Sequence, residues 1–217
     1  MCGRFTLTDR EIDLVARRLG AEVDRERARL YRPRWNVAPT NMHWVALVED
    51  GRRRLVPARF GLGGRGGRPV INARAETAAK LRAFRTPYRE GRCVVPADGF
   101  YEWPGGRGER RPVWFHAAAG ALMGFAGLAV PAGDALAFVI LTTAANAIVR
   151  SLHDRMPVLL SDSTVEPWLS RGDASVLAPA PDGWLAAREV SPLVNSPAND
   201  GPELLEAAPP GRQLELV

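Results

Sequence analysis

Two neighbouring apolar stretches decide the fold class: Leu122-Met-Gly-Phe-Ala-Gly-Leu-Ala-Val130 and Ala137-Phe-Val-Ile-Leu-Thr-Thr143. Both are short and rich in Val, Ile and Phe, which is typical of central β-strands. Upstream, Trp44 to Val48 and Leu55 to Phe60 flank Asp50-Gly51, a dipeptide that favours the tight turn of a β-hairpin. The centre of this chain is therefore predicted to be a β-sheet.

Further apolar segments extend the same pattern towards both ends of the chain. The sequence predicts more strands at Cys93–Trp103, with a turn at Pro96–Gly99, and at Val113–His116, Met156–Leu160, Arg188–Pro192 and Gln213–Val217. Helices are predicted from Ile12 to Leu19, after a capping box at Thr8–Glu11, and over residues 76–84, 145–152 and 164–170. Many strands and few short helices favour an α+β fold in one domain over residues 1–217, with a mainly antiparallel, curved or barrel-like β core.

The composition is that of a globular protein. Of the 217 residues, 46% are hydrophobic and 24% charged, and no run of about 18 apolar residues is available for a membrane helix. The first residues lack the layout of a signal peptide, so we expect a cytoplasmic protein. Two cysteines, Cys2 and Cys93, cannot build a disulfide framework, which agrees with a reducing compartment.

Charge is distributed unevenly along the chain. Residues 1–111 hold 24 basic and 13 acidic side chains, a net charge of +11, whereas residues 112–217 hold 5 and 11, a net charge of −6. All basic residues except Lys80 are arginine, whose planar guanidinium binds phosphate in a bidentate manner. The asymmetry predicts a basic face for a polyanion, with nucleic acid the first candidate. The alternative is a solvated, arginine-rich surface without a partner.

Cys2 is the most unusual placement of a reactive residue. Initiator methionine is normally removed when the second residue is small, which would leave Cys2 with both a thiol and an α-amine. Their reference pKa values are about 8.5 and about 7.7 to 8.0, so both nucleophilic forms would be accessible near neutral pH. Such a 1,2-aminothiol condenses with an aldehyde to an imine and then closes a thiazolidine ring. The alternative is a small residue tolerated at a frayed terminus; Cys93, in an apolar run, is expected to be a core thiol.

Three further polar residues stand where apolar segments would fix them. Asn72 follows the apolar pair Val70-Ile71, Glu102 lies among aromatic residues, and His153 precedes an apolar strand. An aromatic environment raises the pKa of a carboxyl group and suits a general acid or base, although each residue could equally be a structural polar group. No group of His, Cys, Asp and Glu has the spacing of a metal site, so we expect no metal and no cofactor.

Five motifs follow one another along residues 2 to about 160. They are Met1-Cys-Gly-Arg-Phe5, Trp35-Asn-Val-Ala-Pro-Thr40, Asn72-Ala-Arg-Ala-Glu-Thr77, Pro96-Ala-Asp-Gly-Phe-Tyr-Glu-Trp103 and His153-Asp-Arg-Met-Pro157. In this order they resemble the SRAP family, the SOS response-associated peptidase domain, and residues 194–196 are similar to the family's closing segment. The resemblance implies a monomeric protein that binds single-stranded DNA, with junctions to duplex DNA as a further target, and that links covalently to abasic sites. It also implies a bacterial protein that is associated with the nucleoid when bound to DNA.

The resemblance also implies roles for individual residues. Cys2 would be the nucleophile through both its amine and its sulfur, and Asn72 would hold the Cys2 end and the sugar by hydrogen bonds. Glu102 would be the acid/base group, and His153 a second proton-transfer group. Arg74 would contact a DNA phosphate.

Other residues would line the DNA strand. Arg4 would contact a phosphate, Pro39 would act as a wedge and Trp103 as an apolar wall. Many family members carry aromatic residues before the Asn-Ala-Arg motif, but this chain has the glycine-rich segment 61–67 there. We therefore predict that Arg65 and Arg68 contact phosphates in place of base stacking, which makes DNA binding unusually sensitive to salt.

Two other classes of function remain open at this point. In a cysteine peptidase, Cys2 would be the nucleophile, His153 the base, and Asn72 or a carboxylate the orienting group; its substrate could be limited to its own Met1. In a non-covalent single-strand binding module, Cys2 would be incidental. A lyase step that cleaves the strand is a further candidate activity, with or without crosslinking.

Overall fold

The computed structural model describes residues 2–104, 111–120 and 122–208, without the side chain of Arg65. Its strands are β1 (Phe5–Leu7), β2 (Glu22–Val23), β3 (Arg34–Val37), β4 (Met42–Glu49), β5 (Arg52–Phe60), β6 (Asn72–Arg74), β7 (Arg92–Ala97), β8 (Gly99–Glu102), β9 (Val113–Ala117), β10 (Met123–Ala132), β11 (Ala135–Ala144), β12 (Arg155–Pro157), β13 (Leu159–Leu160) and β14 (Leu185–Glu189). Its α-helices are α1 (Ile12–Arg18), α2 (Arg25–Ala28), α3 (Ala75–Ala78), α4 (Arg85–Glu90), α5 (Ala147–Arg150) and α6 (Asp162–Glu166). A π-helical turn spans Pro167–Arg171, and 3-10 turns span Arg65–Gly67, Ala174–Leu177, Pro192–Asn195 and Pro202–Leu205.

Five strands close into a ring around an aromatic core. β4 pairs with β5 and β7, β7 with β10, and β10 with β11, all antiparallel, and β11 returns to β5 in parallel. Phe60 and Phe138, at this closure, stack with their ring centroids 5.1 Å apart, and Phe5 and Phe125 complete the fully buried cluster. The predicted α+β fold with a curved, mainly antiparallel core is confirmed.

A second sheet positions the start of the chain. Its strand order is β14-β9-β8-β1-β3, so β1 lies between β3 and β8 and is antiparallel to both. Residues on either side of β1 are thereby surrounded by partners distant in sequence. The segment that contains Cys2 therefore leads into an interior strand of this sheet, next to the edge strand β3.

The predicted hairpin is present and has the expected turn. β4 and β5 pair antiparallel from Glu49↔Arg52 to Met42↔Arg59. Asp50 and Gly51 both have positive φ, 51° and 72°, as the favoured two-residue hairpin turn requires. The apolar stretches 122–130 and 137–143 form the predicted strands, β10 and β11, and these pair with each other.

Several predictions made from local sequence patterns are wrong, in one case because a residue distant in sequence binds the predicted capping group. Thr8 does not cap α1: its backbone N–H and its hydroxyl both donate to the carboxylate of Asp98, and Glu11 is the N-cap residue without a side-chain cap. The turn predicted at Pro96–Gly99 is absent, since β7 continues through Pro96 and the chain only bends at Asp98 before β8.

The helix predicted over residues 76–84 is also wrong. Only its first three residues are helical, in α3; residues 79–84 form turns and a bend, and α4 begins beyond the predicted range, at Arg85. The late strand predicted at Arg188–Pro192 lies earlier, as β14. The strand predicted at Gln213–Val217 falls outside the described residues.

Candidate functional site

Cys2 lies three residues before the start of β1 and is fully buried. Its carbonyl oxygen accepts a hydrogen bond from Nδ2 of Asn72 at 3.2 Å, and its Sγ atom is 4.0 Å from the carbonyl oxygen of Arg4. Burial strongly raises the pKa of the thiol, and the negative charge of Glu102 raises it further. In this buried state the raised pKa favours the protonated thiol over the thiolate that the reference value would allow near neutral pH.

Asn72 reaches Cys2 from β6, a strand that pairs in parallel with β11 through Ile140↔Asn72 and Thr142↔Arg74. The Oδ1 atom of Asn72 is buried and has no hydrogen-bond partner among the described residues. A buried amide oxygen without a donor costs free energy, and such orphaned groups mark sites that a ligand completes. Asn72 thus holds the Cys2 backbone with one end of its amide and offers an acceptor with the other.

Glu102 ends β8, the strand beside β1. The register Phe5↔Phe100 and Thr6↔Gly99, continued along the chain, places Glu102 opposite Gly3 and next to Cys2. The side chain is 4% exposed. Burial raises the pKa of this carboxyl, and the nearby charge of Asp154 adds to the shift, while His153 opposes it. The protonated form therefore persists to higher pH than in an ordinary glutamate.

His153 stands close enough to influence Glu102 and follows α5 on the approach to β12. Its Nδ1 atom accepts a hydrogen bond from the backbone N–H of Arg155 at 2.9 Å and also lies 3.1 Å from Oδ1 of Asp154. These two contacts require different protonation of Nδ1. The side chain of Asp154 is 87% exposed, so water screens its charge and weakens its attraction for a proton on Nδ1. The hydrogen bond from the backbone N–H of Arg155 therefore determines that Nδ1 is the acceptor. In the neutral imidazole the proton then resides on Nε2.

Arg4 is partly committed to contacts inside the protein. Its NH1 group donates to Oδ1 of Asn36 at 2.8 Å and to the carbonyl oxygen of Val194 at 2.9 Å. Arg74, by contrast, is exposed at the end of β6, one residue before α3. Arg4 is fixed in place and Arg74 is accessible from solvent, so the two arginines differ in how freely each can approach a phosphate.

The remaining predicted strand contacts lie on loops around this centre. Pro39 is half-buried after β3 and precedes Thr40, whose φ is 76°. Trp103 follows Glu102, and its indole N–H donates to Oδ1 of Asn195 at 2.6 Å. Arg68 is exposed at the end of the 3-10 turn 65–67, four residues before Asn72, and the side chain of Arg65 lies outside what the structure describes.

Sequence reasoning assigned no role to two groups that organise these residues. Asn36 is fully buried, and its Nδ2 donates to the carbonyls of Ser196 and Asn199 at 3.0 and 2.9 Å. Arg155 forms a bidentate ion pair with Glu76. All of these except Asn199 lie within the quoted motifs or closing segment, but their pairing joins segments about 80 to 160 residues apart, which no local pattern indicates.

Cys93, the other cysteine, is fully buried between β4 and β10, as expected for a core thiol. Within residues 2–104, 111–120 and 122–208, no group of three or more His, Cys, Asp or Glu side chains could hold a metal ion. None of the helices in the same ranges has the length and hydropathy needed to span a membrane.

A sequence model of the SOS response associated peptidase (SRAP) family matches residues 1–197. The chain belongs to the SRAP family. Among SRAP relatives, the abasic site processing protein YoqW of Bacillus subtilis (strain 168) is 36% identical over 95% of this chain and 100% of its own length. The abasic site processing protein YedK of Escherichia coli (strain K12) is 33% identical over 95% of this chain and 99% of its own length.

A solved structure has a similar fold. A crystal structure of a protein from Bacteroides thetaiotaomicron superposes with a TM-score of 0.79, at 22% identity, over 95% of this chain and 100% of that one. At this identity the likeness concerns the fold alone.

Proposed function

We propose that this SRAP protein, once Met1 has been removed, recognises abasic sites in single-stranded DNA and links to them covalently through Cys2. One observation carries the proposal: the Asn72 amide holds the backbone of the second residue in the chain beside Glu102, a buried carboxyl group with a raised pKa. The names of the relatives, abasic site processing proteins, support the same substrate class.

The proposed chemistry begins at the α-amine of Cys2. An abasic deoxyribose in its ring-opened form has an aldehyde at C1′. The amine nitrogen bonds to C1′, and loss of water gives an imine. The Sγ–H group then adds across the C=N bond: sulfur bonds to C1′, and the proton goes to the nitrogen. The product is a five-membered thiazolidine, and one water has been released.

Burial of the thiol supports one order for these proposed steps. Because the pKa of Cys2 is raised, the sulfur is held as a thiol and is a poor initial nucleophile. The amine therefore attacks first, and the thiol closes the ring as a neighbour of the imine carbon, where proximity compensates for weak nucleophilicity. Cys2 then acts through both of its functional groups.

Glu102 and His153 would supply the proton transfers. Protonated Glu102 would donate to the ring oxygen of the closed sugar and to the departing water, and its carboxylate would recover the proton from the amine. His153, with its proton on Nε2, would be a second donor near the sugar hydroxyl or the 3′ phosphate. The Oδ1 atom of Asn72 would accept a hydrogen bond from the Cys2 amine or from the sugar.

The DNA strand would run over the basic surface around this centre. Arg4, Arg74, Arg65 and Arg68 would contact phosphates, which gives affinity without sequence preference. Pro39 would wedge between bases and Trp103 would form an apolar wall, held by its hydrogen bond to Asn195. We propose that the protein acts as a monomer on cytoplasmic DNA, at single strands and at their junctions with duplex DNA.

Mass spectrometry after incubation with an abasic oligonucleotide tests the proposal. We expect a denaturation-resistant adduct with the mass of protein plus DNA minus one water. The adduct should vanish in Cys2→Ala and persist in Cys93→Ala, which removes the buried core thiol instead. An extra residue inserted before Cys2 blocks its α-amine and should also abolish the adduct.

Two outcomes would overturn the proposal in favour of the other functions. Binding to intact and abasic strands without any adduct would indicate a non-covalent binding module. Hydrolysis of peptides that depends on Cys2 and survives the inserted residue would indicate a thiol peptidase.

A further inference from the structure

Arg155 joins two segments that converge on the site from different parts of the chain. Its NH1 and NH2 groups donate to Oε1 and Oε2 of Glu76 at 2.7 and 2.8 Å. Glu76 lies on α3, directly after the strand that carries Asn72, and Arg155 begins β12, directly after His153 and Asp154. The ion pair thus spans from the Asn72 segment to the His153 segment.

Both segments are anchored on the same strand, β11. β6 pairs with it in parallel at Thr142↔Arg74, and β12 pairs antiparallel at Ala144↔Arg155. The NH2 group of Arg155 also donates to the carbonyl oxygen of Thr142. The guanidinium therefore contacts the end of β11 at the point where both segments leave it.

The backbone of Arg155 sets the tautomer of His153. Its N–H donates to Nδ1 at 2.9 Å, which leaves the imidazole proton on Nε2. This hydrogen bond depends on where the first residue of β12 is held. The bidentate ion pair between the Arg155 side chain and Glu76 holds this residue in place. Two parallel hydrogen bonds fix the orientation of the guanidinium as well as its distance.

We propose that Arg155 and Glu76 are positioning residues, which act through the Arg155 backbone to hold the His153 imidazole in its Nε2–H form beside Glu102. The expected effect of this positioning on the crosslinking rate rests on the proposed function. The expected effect on the His153 tautomer does not. Stability alone does not account for the arrangement: among the described residues, Nε of Arg155 is buried without a hydrogen-bond partner, and such a donor is destabilising.

The test uses Arg155→Lys, which keeps the charge but loses the fork, and Glu76→Gln, which keeps the shape but loses the charge. In the full-length protein, nitrogen-15 NMR of the histidine side chains, at a pH where imidazole is neutral, should show His153 as the Nε2–H tautomer. Both variants should show a mixture of the two tautomers. Crosslinking at saturating abasic DNA should slow about tenfold in each, since a displaced catalytic group loses rate steeply.

The double variant should be no slower than the slower single variant, because both changes break the same pair. Arg53→Lys and Glu166→Gln are matched controls. Arg53 is 19% exposed and paired with a 65% exposed Glu166, close to the 16% and 50% of Arg155 and Glu76. These controls should leave both the tautomer and the rate unchanged.

An unaltered His153 tautomer in Arg155→Lys and Glu76→Gln would overturn the proposal, as would an equal loss of rate in the Arg53 and Glu166 controls. If the unsubstituted protein formed no adduct at all, the proposed function would fail. The tautomer measurement would then still decide whether Arg155 and Glu76 position His153.

Discussion

Glu102 combines near-complete burial with a position beside Cys2, so its protonation state governs the proposed chemistry. Glu102→Gln removes proton transfer but keeps the shape, and we expect crosslinking to slow about a hundredfold, within the usual range for a general acid–base group. The Kd for an undamaged single strand should stay unchanged. Single-turnover crosslinking and fluorescence anisotropy measure the two quantities, and an equal fall in both would contradict the role.

The raised pKa of Glu102 predicts the shape of the pH profile. The protonated carboxyl is the species that opens the sugar, so the rate of this step should fall as the pH rises through a value above that of an ordinary glutamate. In Glu102→Gln this decline should be absent. Crosslinking rates measured across neutral pH on both proteins, with the abasic sugar already ring-opened as a control, decide the point.

His43 predicts how the stability of the fold depends on pH. It is buried under the Phe5 ring, its Nε2–H donates to the carbonyl oxygen of Pro96 at 2.9 Å, and burial lowers its pKa from 6.5 to about 4. Between pH 6.5 and 4, His43 binds a proton in the unfolded chain but stays neutral in the folded protein. Stability should therefore fall by about 3 kcal/mol between pH 6.5 and 4, at about 1.4 kcal/mol per pKa unit.

Urea unfolding across this pH range measures the effect of His43. His43→Gln, which retains a donor for the Pro96 carbonyl, should be less stable at neutral pH but should lose this part of the pH dependence. His116→Gln, at a half-buried histidine, serves as the control and should keep the pH dependence. A parallel decline in the His43 variant would show that other groups cause it.

At the scale of elements, β8 and β9 pack closely at Gly99, a position that leaves no room for a side chain. A Cβ at Gly99 would lie 2.0 Å from Nε1 of Trp114, whose indole stacks on His116 and donates to the hydroxyl of Thr6. Gly99→Ala should therefore destabilise the protein by about 1 to 3 kcal/mol, as overpacking does. Gly63→Ala, where nothing lies within 4 Å, is the control for urea unfolding, and equal stability of both variants would refute the clash.

The glycine-rich loop that leads into β6 predicts the salt dependence of DNA binding. If Arg65 and Arg68 each contact a phosphate, their double replacement by Ala should reduce the slope of log K against log salt concentration by about 1.4, at about 0.7 per contact on a single strand. Arg25→Ala with Arg29→Ala, two exposed arginines that follow the edge strand β2, should change the slope little. An unchanged slope in the loop variant would contradict the contacts.

The elements differ in how well the sequence predicts them, and the reason is where their partners lie. β10 and β11 follow from their own Val, Ile and Phe content, and the β4–β5 turn follows from Asp50-Gly51, since these determinants are local. The N-cap of α1 cannot be predicted locally, because the hydrogen-bond donors of Thr8 bind Asp98, 90 residues away. The parallel closure of β11 on β5 is equally invisible to a local pattern.

The same distinction holds for the site at the scale of the whole molecule. Cys2, Asn72, Glu102 and His153 can be selected from the sequence by residue type and motif, and the structure places Asn72 and Glu102 beside Cys2 and His153 near Glu102. The contacts that hold the surrounding segments in place cannot be predicted in this way. Asp200, for example, accepts hydrogen bonds from the backbone N–H groups of Trp35 and Asn36, about 165 positions away. Such clamps are set by tertiary packing.

The charge asymmetry of the chain acquires a physical meaning at this scale. Residues from the acidic second part do not form a separate region, since the segment around residues 191–200 binds Arg4, Arg34 and Asn36 of the basic first part. The carboxylate of Asp200 neutralises Arg34, whereas Arg4 keeps its charge but is held by neutral oxygen acceptors. The positive charge left for a polyanion comes from exposed arginines such as Arg74 and Arg68.

The position of β1 inside its sheet bears on when the protein can be processed during synthesis. Its neighbours are β3 and β8, so Cys2 cannot be enclosed until the ribosome has released residues up to Glu102. At roughly 5 to 20 residues per second, that interval lasts on the order of 5 to 20 seconds. During this interval the nascent amino terminus is accessible to a methionine aminopeptidase. Once β8 joins β1, Cys2 is buried, so we expect the proposed removal of Met1 to occur during translation.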